Sequence, residues 1–253
     1  MDRKIYSSSF TQSDVLSWQC PTCSKSLLEI RKDSFKSEQT GTSRKYYDEV
    51  ADWDPEWTRY VYSCLLDCTN RACNEVVASS GVGGVGIAPV FKQRVLQDIE
   101  YDDFFTPKYF SPHLKIFDFS SATPKEISVE LETSFELFFC DPPSAANHVR
   151  IAIENLLTHL GIKRFNIENK KYKPVVLHNR IELLPSKYGH LKDLFLAMKW
   201  LGNAGSHSGK TLTTDDVLDS YEIMEEVLRE LFEKKQKKIK TLAKKINKKK
   251  GPK

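Results

Sequence analysis

The sequence predicts an α+β protein, in which a small β-rich N-terminal module is followed by a bundle of antiparallel helices. Closely spaced cysteine pairs near the N-terminus indicate the first part, and apolar residues at helical spacing from Thr123 onward indicate the second. A lysine-rich segment ends the chain. We therefore divide the sequence into a cysteine-bearing module (1–95), a connector (96–122), a helical bundle (123–233) and a basic helical tail (234–253).

The cysteines predict a metal site in the N-terminal module. Cys20 and Cys23 flank a Pro-Thr turn, and Cys68 and Cys73 form a second close pair. Two tight turns that each carry two thiols can converge on one tetrahedral ion, so we interpret these four residues as ligands of a structural zinc in a zinc-ribbon-like fold. Cys64 is an alternative ligand, and unligated core thiols are the alternative to a metal site.

The rest of the N-terminal half gives weaker signals. Residues 33–58 are polar with scattered Tyr and Trp, which indicates an insertion within the module. The glycine-rich run 81–86 does not have the spacing of a dinucleotide-binding loop, and we interpret it as a hairpin or linker. Residues 96–122 are aromatic and interrupted by proline, so they are predicted to be an extended connector.

Five helices are predicted in the second half. Thr123-Pro-Lys-Glu126 has the pattern of a capping box that opens a helix to about Phe139. Asp141-Pro-Pro starts a second helix that ends at Gly161. Three further helices are predicted at His178–Leu184, at Leu191–Leu201, and from Asp215 into the tail. Short loops between such helices are typical of an antiparallel bundle, and Cys140 is predicted to be a buried thiol at a helix end.

Composition excludes some classes of protein. The chain has 253 residues, of which 40% are hydrophobic and 28% charged, and no stretch approaches the apolar length of a membrane span. The first residues lack the apolar segment of a signal peptide. We therefore expect a cytoplasmic protein without a membrane partner, in which cysteines bind metal rather than form disulfides.

The net charge of +4 conceals an uneven distribution. Residues 234–253 contain 11 lysines and no acid, which leaves 27 basic residues against 34 acidic ones in the remainder. Ile239, Leu242 and Ile246 recur at helical spacing, so the tail is predicted to extend the last helix as a basic rod suited to phosphate backbones. Such a run can also be only a solvated tail. The residues that we expect to contact nucleic acid are Lys237, Lys240, Lys244 and Lys248.

The segment 199–207 gathers the polar groups that could carry chemistry. Lys199, Asn203 and His207 are spaced four residues apart, so they can face one pocket if the helix continues that far. The simpler interpretation is an interhelical corner with a structural histidine. Residues 204–211 also fit a relaxed phosphate-binding loop, but the buried strand that such a loop requires does not precede them.

Several motifs resemble a bacterial family of unknown function, the domain of unknown function 4145. They are Trp18-x-Cys-Pro-x-Cys23, the Cys68/Cys73 pair, Pro112-x-Leu-x-Ile-Phe117, Ala145-Ala-Asn-x-x-Arg150-x-Ala-Ile-Glu154 and Gly202-Asn-Ala-Gly-Ser-His207. The resemblance extends over nearly the whole chain. It implies a relation to the HEPN superfamily (higher eukaryotes and prokaryotes nucleotide-binding), many of whose members are metal-independent ribonucleases of phage defence and toxin systems.

The resemblance implies roles for individual residues. His207 would be the general acid and base, Asn203 a polar helper, and Lys199 stands where such ribonucleases have an arginine. Arg150 and Glu154, one helical turn apart, would support them. The implied activity is RNA cleavage by a homodimer, with partner proteins of a defence operon. The alternative is a non-catalytic nucleic-acid-binding or adaptor module of a restriction or defence system, with RNA rather than DNA as the expected partner.

Overall fold

The computed structural model describes residues 2–92, 95–168, 170–204, 212–233, 242–248 and 251 of the chain. It confirms the predicted α+β class, with an antiparallel sheet first and helices second. The chain divides into two compact units, which we call the N-terminal unit (Asp2–Lys115) and the C-terminal unit (from Ile116).

The N-terminal unit is built on an antiparallel five-stranded sheet. Its strands are β1 (Leu28–Ile30), β2 (Lys36–Gln39), β3 (Arg59–Cys68), β4 (Val76–Lys92) and β5 (Val95–Ser111). The order is β1-β3-β4-β5, and β2 pairs with the same edge of β3 as β1 does. A short helix α1 (Lys4–Ser7) precedes the sheet, and helix α2 (Gly41–Glu49) follows β2.

An aromatic cluster forms the core on one face of this sheet. Phe10, Tyr62 and Phe105 are buried, and the rings of Phe35 and Tyr62 stack with centroids 5.4 Å apart. Trp18 is fully buried, and its indole N–H donates a hydrogen bond to the carbonyl of Ile5. Rings of this size supply most of the apolar area that a small sheet can bury.

The glycine-rich run 81–86 lies within strand β4, which pairs antiparallel with β5, so the run belongs to a strand of a hairpin and is not a turn or a linker. The glycines are needed because other groups lie directly over the strand. A Cβ at Gly81 would be 2.2 Å from the carbonyl oxygen of Thr106, and one at Gly83 would be 2.6 Å from the ring of Phe105. The run therefore accommodates the aromatic core rather than a turn.

The predicted connector is also different in the structure. Val95–Ser111 is strand β5, which pairs with β4 along its length, and the boundary between the units follows Lys115. Phe105 and Phe110 are buried in the N-terminal core, on the two sides of a register shift that changes the alternation of the strand. The buried aromatic residues of this segment are therefore core positions of a strand. Pro107 does not interrupt strand β5, because it lies beside the register shift at Ser80/Gly81.

The C-terminal unit is mainly helical. Its helices are α3 (Lys125–Leu137), α4 (Pro142–His159), α5 (Leu177–Glu182), α6 (Lys192–Ala204) and α7 (Thr214–Phe232). A 3-10 turn, Ser186–Leu191, precedes α6. A two-stranded hairpin that the sequence did not predict, β6 (Phe165–Glu168) and β7 (Lys171–Pro174), lies between α4 and α5.

Helix α4 is the central element of this unit, because α3, α6 and α7 all pack against it. A buried polar contact lies within the packing. The Ser134 hydroxyl donates to the carbonyl of Ala145 at 2.7 Å and lies 2.7 Å from the hydroxyl of Tyr221, which has no solvent exposure. Burial raises the pKa of Tyr221. A satisfied polar pair of this kind fixes how α3, α4 and α7 pack together.

The helix ends agree with the sequence in one case and differ in another. Asp141 caps α4 as predicted, because its carboxylate accepts a hydrogen bond from the Ser144 amide. The capping box predicted at Thr123 is wrong, since Pro124 is the cap residue and makes no side-chain bond. The Thr123 hydroxyl is buried and has no hydrogen-bond partner within the described part of the chain.

The last helix is shorter than predicted. Helix α7 ends at Phe232, and Glu233 has an extended backbone, so α7 does not run continuously into the tail. Buried residues such as Val227 and Leu228 hold α7 on the bundle, whereas the sequence after Glu233 is rich in mutually repelling lysines. Residues 242–248 form a separate exposed helix. None of the helices in the described ranges is long and apolar enough to cross a lipid bilayer.

Replacing Gly83 with alanine should destabilise the N-terminal unit by about 1–3 kcal/mol, because the new methyl group would overlap the ring of Phe105. Gly41→Ala in helix α2 is the matched control, since no atom lies within 4 Å of its added Cβ. Urea denaturation followed by tryptophan fluorescence measures both variants. Equal stability of the two would show that the ring moves aside without cost.

Candidate functional site

The predicted cysteine ligands lie together in the N-terminal unit. Cys20, Cys23, Cys68 and Cys73 have sulfur atoms within 4.8 Å of one another and could hold a metal ion. The sulfurs of Cys20 and Cys73 are 3.8 Å apart, as are those of Cys23 and Cys68. These separations are far longer than the S–S bond of a disulfide, which is about 2.0 Å.

The two sulfur separations of 3.8 Å match tetrahedral coordination. Ligands at about 2.3 Å from a central ion, the usual zinc–thiolate distance, lie about 3.8 Å apart at the corners of a tetrahedron. The four thiols would therefore fill every coordination position of such an ion. A site without an open position stabilises a fold and does not bind a substrate.

Backbone amides prepare the cysteines to act as ligands. The amides of Lys25, Asn70 and Glu75 each donate to the cysteine sulfur two residues earlier in the chain. The Lys25 amide, with help from the neighbouring thiols, lowers the pKa of Cys23 to about 6, so this sulfur is a thiolate at neutral pH. Burial raises the pKa of Cys68 to about 12, and a metal ion would have to displace that proton.

Local backbone geometry builds the two turns that carry these sulfurs. Ser24 and Asn74 have positive φ angles of 48° and 53°, and each directly follows the second cysteine of its pair. The Ser24 amide donates to the carbonyl of Cys20 at 2.9 Å, which closes the first turn. Strand β3 ends at Cys68 and therefore delivers the second pair to the first.

Cys64, the alternative ligand, lies outside the cluster. It is buried in strand β3, and burial raises its pKa to about 11. It lies four residues before Cys68 on the same strand, and the metal-binding group includes Cys68 instead. Cys140 is half-buried just beyond α3, where its sulfur faces the carbonyl of Leu137.

Part of the predicted catalytic set meets between helices α4 and α6. The guanidinium of Arg150 on α4 donates to the side-chain oxygen of Asn203 on α6. Its Nε lies 3.5 Å from a carboxylate oxygen of Glu154, one turn later on α4. These three side chains are only partly buried, so the polar cluster that they form is open to solvent on one side.

Lys199 is not part of this polar cluster in the structure. The residue is 8% exposed, and its amine lies 3.6 Å from the ring centroid of Trp200. A cation held over an aromatic face is stabilised there and is not presented to a phosphate group. The positive charge beside Asn203 therefore comes from Arg150 and not from Lys199.

Several predicted site residues fall outside the described residues, namely His207, Lys237 and Lys240. Lys244 and Lys248 lie in the exposed helix 242–248. The relaxed phosphate-loop pattern at 204–211 also falls almost entirely outside the described ranges.

A pocket of about 410 Å³ lies in the insertion of the N-terminal unit, next to helix α2. Its lining residues are Thr40, Thr42, Ser43, Tyr46, Trp57 and Arg59. None of these six is a carboxylate, a histidine or a cysteine, so the lining has no group that titrates near neutral pH. The pocket does not have the composition of an acid–base catalytic centre.

The hairpin β6–β7 was not predicted from the sequence. Apolar and polar residues alternate in both strands, which is the pattern of a β-strand. Phe165 and Ile167 are separated by a polar residue, and Tyr172 lies between two lysines. It was overlooked because both strands are only four residues long.

Comparisons with known proteins give two family matches. Residues 8–110 match the family described as Domain of unknown function (DUF8608), and residues 132–249 match Domain of unknown function (DUF4145). No curated protein and no solved structure is significantly similar to the chain. The predicted resemblance is thus confirmed, although its N-terminal motifs fall in a second family. The match to the DUF4145 family covers residues 132–249, which is less than half of the chain.

Proposed function

We propose that the four-cysteine cluster holds zinc and that this ion is structural. Four thiolates in a tetrahedral arrangement suit Zn²⁺, which has no redox chemistry and accepts this geometry without strain. The 3.8 Å sulfur separations support the proposal. Thiolate ligands also require a reducing compartment, which favours the cytoplasm.

We propose that the protein binds nucleic acid, with RNA as the expected partner. The main support for this proposal is the charge distribution. Residues 234–253 contain 11 of the 38 basic residues of the chain and no acidic residue. The described part of this segment is an exposed helix that presents Lys244, Lys245 and Lys248 to solvent. Lysines that neutralise phosphates release counterions, which gives binding that depends on salt and not on sequence.

In this proposal the protein is a non-catalytic nucleic-acid-binding or adaptor module of a restriction or phage-defence system. One feature supports a binding role over catalysis. Lys199, expected to stabilise the charge on a phosphate, is 8% exposed and its amine lies over the ring of Trp200. Partner proteins of a defence operon would then supply any catalytic activity.

RNA cleavage by a HEPN-like centre is the second candidate, and the contact between Arg150 and Asn203 favours it. Arginine offers a planar, always protonated fork that suits a charged phosphate transition state. In this candidate Arg150 supplies the positive charge that was expected from Lys199, and Asn203 and Glu154 orient its guanidinium. His207 would move protons, and a homodimer would bring two copies to one cleft because cleavage needs one proton removed and another delivered.

The zinc proposal predicts about one equivalent of zinc per chain. Cys20→Ser should lose the metal and unfold the N-terminal unit while the helical unit stays folded, because a missing ligand removes most of the binding free energy. Cys140→Ser is the matched control, since Cys140 lies outside the cluster. Elemental analysis and limited proteolysis measure the two effects. A folded wild-type protein without metal would contradict the proposal.

The binding proposal predicts that charge in the tail sets the salt dependence of RNA affinity. Substitution of Lys237, Lys240, Lys244 and Lys248 by glutamine should weaken binding and reduce the slope of log K against log salt by about 0.7 for each lysine that contacts phosphate. The same number of exposed lysines in the N-terminal unit, changed to glutamine, is the charge-matched control: Lys32, Lys36, Lys45 and Lys115. Equal slopes for the two variants would show that the tail makes no special contribution to RNA binding and acts only as a solubilising extension.

The cleavage candidate predicts RNA hydrolysis that persists in EDTA. His207→Ala should abolish it, and Arg150→Lys should reduce it by at least about tenfold while keeping the aliphatic stem that packs on Gly202. His178→Ala, at an exposed position on α5, is the histidine control. Gel analysis of mixed RNA measures all variants. Cleavage that survives His207→Ala, or that needs a metal ion, would exclude this centre.

A further inference from the structure

The hairpin β6–β7 has one apolar face and one polar face. In its antiparallel register Ile167 lies opposite Tyr172 and Phe165 opposite Pro174, so these four residues share one face. The rings of Phe165 and Tyr172 meet edge to face, with centroids 6.2 Å apart. The opposite face carries Asn166 and Lys173, together with Lys171 near the turn.

The apolar face is exposed to solvent. The exposed fractions are 46% for Phe165, 70% for Ile167 and 76% for Tyr172. A two-stranded sheet gains little stability in water on its own, and it normally buries its apolar face against another element. Three neighbouring apolar side chains that stay exposed indicate a surface that a partner covers.

The ends of the hairpin are fixed to the helical core. Ile162 before β6 and Leu177 after β7 are both 5% exposed. The buried guanidinium of Arg180 on α5 donates to the carbonyl of Ile162 at 3.2 Å and to the hydroxyl of Thr158 at 2.8 Å. The exposed face is therefore presented by a rigid support and is not part of a loose loop.

The charge of the hairpin and of the residues beside it selects the kind of partner. Residues 163–173 contain five basic residues and one acid, in a chain whose sequence outside the tail is acidic overall. The basic residues, all exposed, are Lys163, Arg164, Lys170, Lys171 and Lys173. A second copy of the hairpin would bring two such clusters together and be repelled, whereas a polyanion would be attracted.

We propose that this hairpin binds single-stranded nucleic acid, with bases stacked on Phe165 and Tyr172 and phosphates contacted by the surrounding cations. The inference rests on the proposed nucleic-acid-binding function and adds a second, base-stacking surface to the basic tail. Aromatic rings on an exposed β-surface stack with unpaired bases, whereas the bases of a duplex are already stacked on each other. The hairpin thus gives a preference for single strands that the lysine tail alone cannot give.

The test uses the full chain and compares a labelled uridine oligonucleotide of about 20 nucleotides with a duplex RNA of the same length. The first variant is Phe165→Leu with Tyr172→Leu, which keeps the face apolar and removes both rings. It should bind the single strand about tenfold or more weakly, with unchanged duplex affinity and an unchanged salt slope. The second variant, Lys170→Gln with Lys171→Gln, should reduce the salt slope by about 1.4.

The matched control is Tyr101→Leu with Tyr109→Leu, because these rings in the N-terminal unit are similarly exposed, by 55% and 60%. It should bind the single strand as the wild type does. Circular dichroism of each variant checks that the fold is kept.

Distinct outcomes separate the inference from the proposed function. If the wild type binds RNA and only the tail substitutions weaken it, the hairpin inference is overturned and the binding function stands. If the wild type shows no salt-dependent RNA binding, both fall. Unchanged single-strand affinity in the leucine variant, together with binding of both the wild type and this variant to vesicles of phosphatidylserine and phosphatidylcholine, would assign the face to a membrane surface and overturn the inference.

Discussion

The close approach of helices α4 and α6 at Gly202 is the constraint on which the C-terminal unit depends. A Cβ at Gly202 would lie 2.9 Å from the Cβ of Arg150, so only glycine lets the two helices pack at this distance. Because the helices are this close, the guanidinium of Arg150 reaches Asn203 across the interface. A larger residue would separate the helices and break the polar cluster, even though Gly202 itself has no polar side chain. The same α4 is packed by α3 and α7, so a displacement would also disturb the Ser134–Tyr221 contact on its other side.

The two units reach stability by different means. The N-terminal sheet is small, and β4 and β5 extend well beyond the residues that β3 covers. Its core consists of a few large rings, and the cysteine-bearing turns lie at the end of β3, where aromatic packing is replaced by four converging thiols. Small sheets often need such a covalent or metal crosslink because the apolar area that they bury is limited. The helical unit needs none, since α4 buries seven of its residues against its neighbours.

The sequence predicted those parts of the structure that depend on residues close together in the chain. The cysteine pairs, the Asp141 cap and the positions of the main helices all follow from spacings of a few residues. The incorrect predictions concern features that depend on residues far apart in the chain. The role of Gly81 and Gly83 depends on Thr106 and Phe105, about 20 residues later in the sequence, and no local pattern reveals that register. Strand β5 was read as a connector for the same reason. For the candidate site, the structure brings Arg150, Glu154 and Asn203 together, but the position of Lys199 against Trp200 depends on packing that spacing alone does not determine.

The hairpin and the tail are both basic, in a chain whose other residues are acidic overall. Outside residues 234–253 the chain has more acidic than basic residues, so most of the protein repels a polyanion. Residues 163–173 reverse that sign locally, and they do so around two exposed rings. Electrostatic attraction would bring a nucleic acid to the tail and to the hairpin and away from other surfaces, which raises the rate of productive encounter.

The lysines of the tail cannot distinguish a single strand from a duplex by geometry, since both present phosphates. The rings can, because stacking requires an unpaired base. In the proposed binding mode, selectivity for single strands would therefore come from the hairpin, while the tail would contribute affinity that declines with salt.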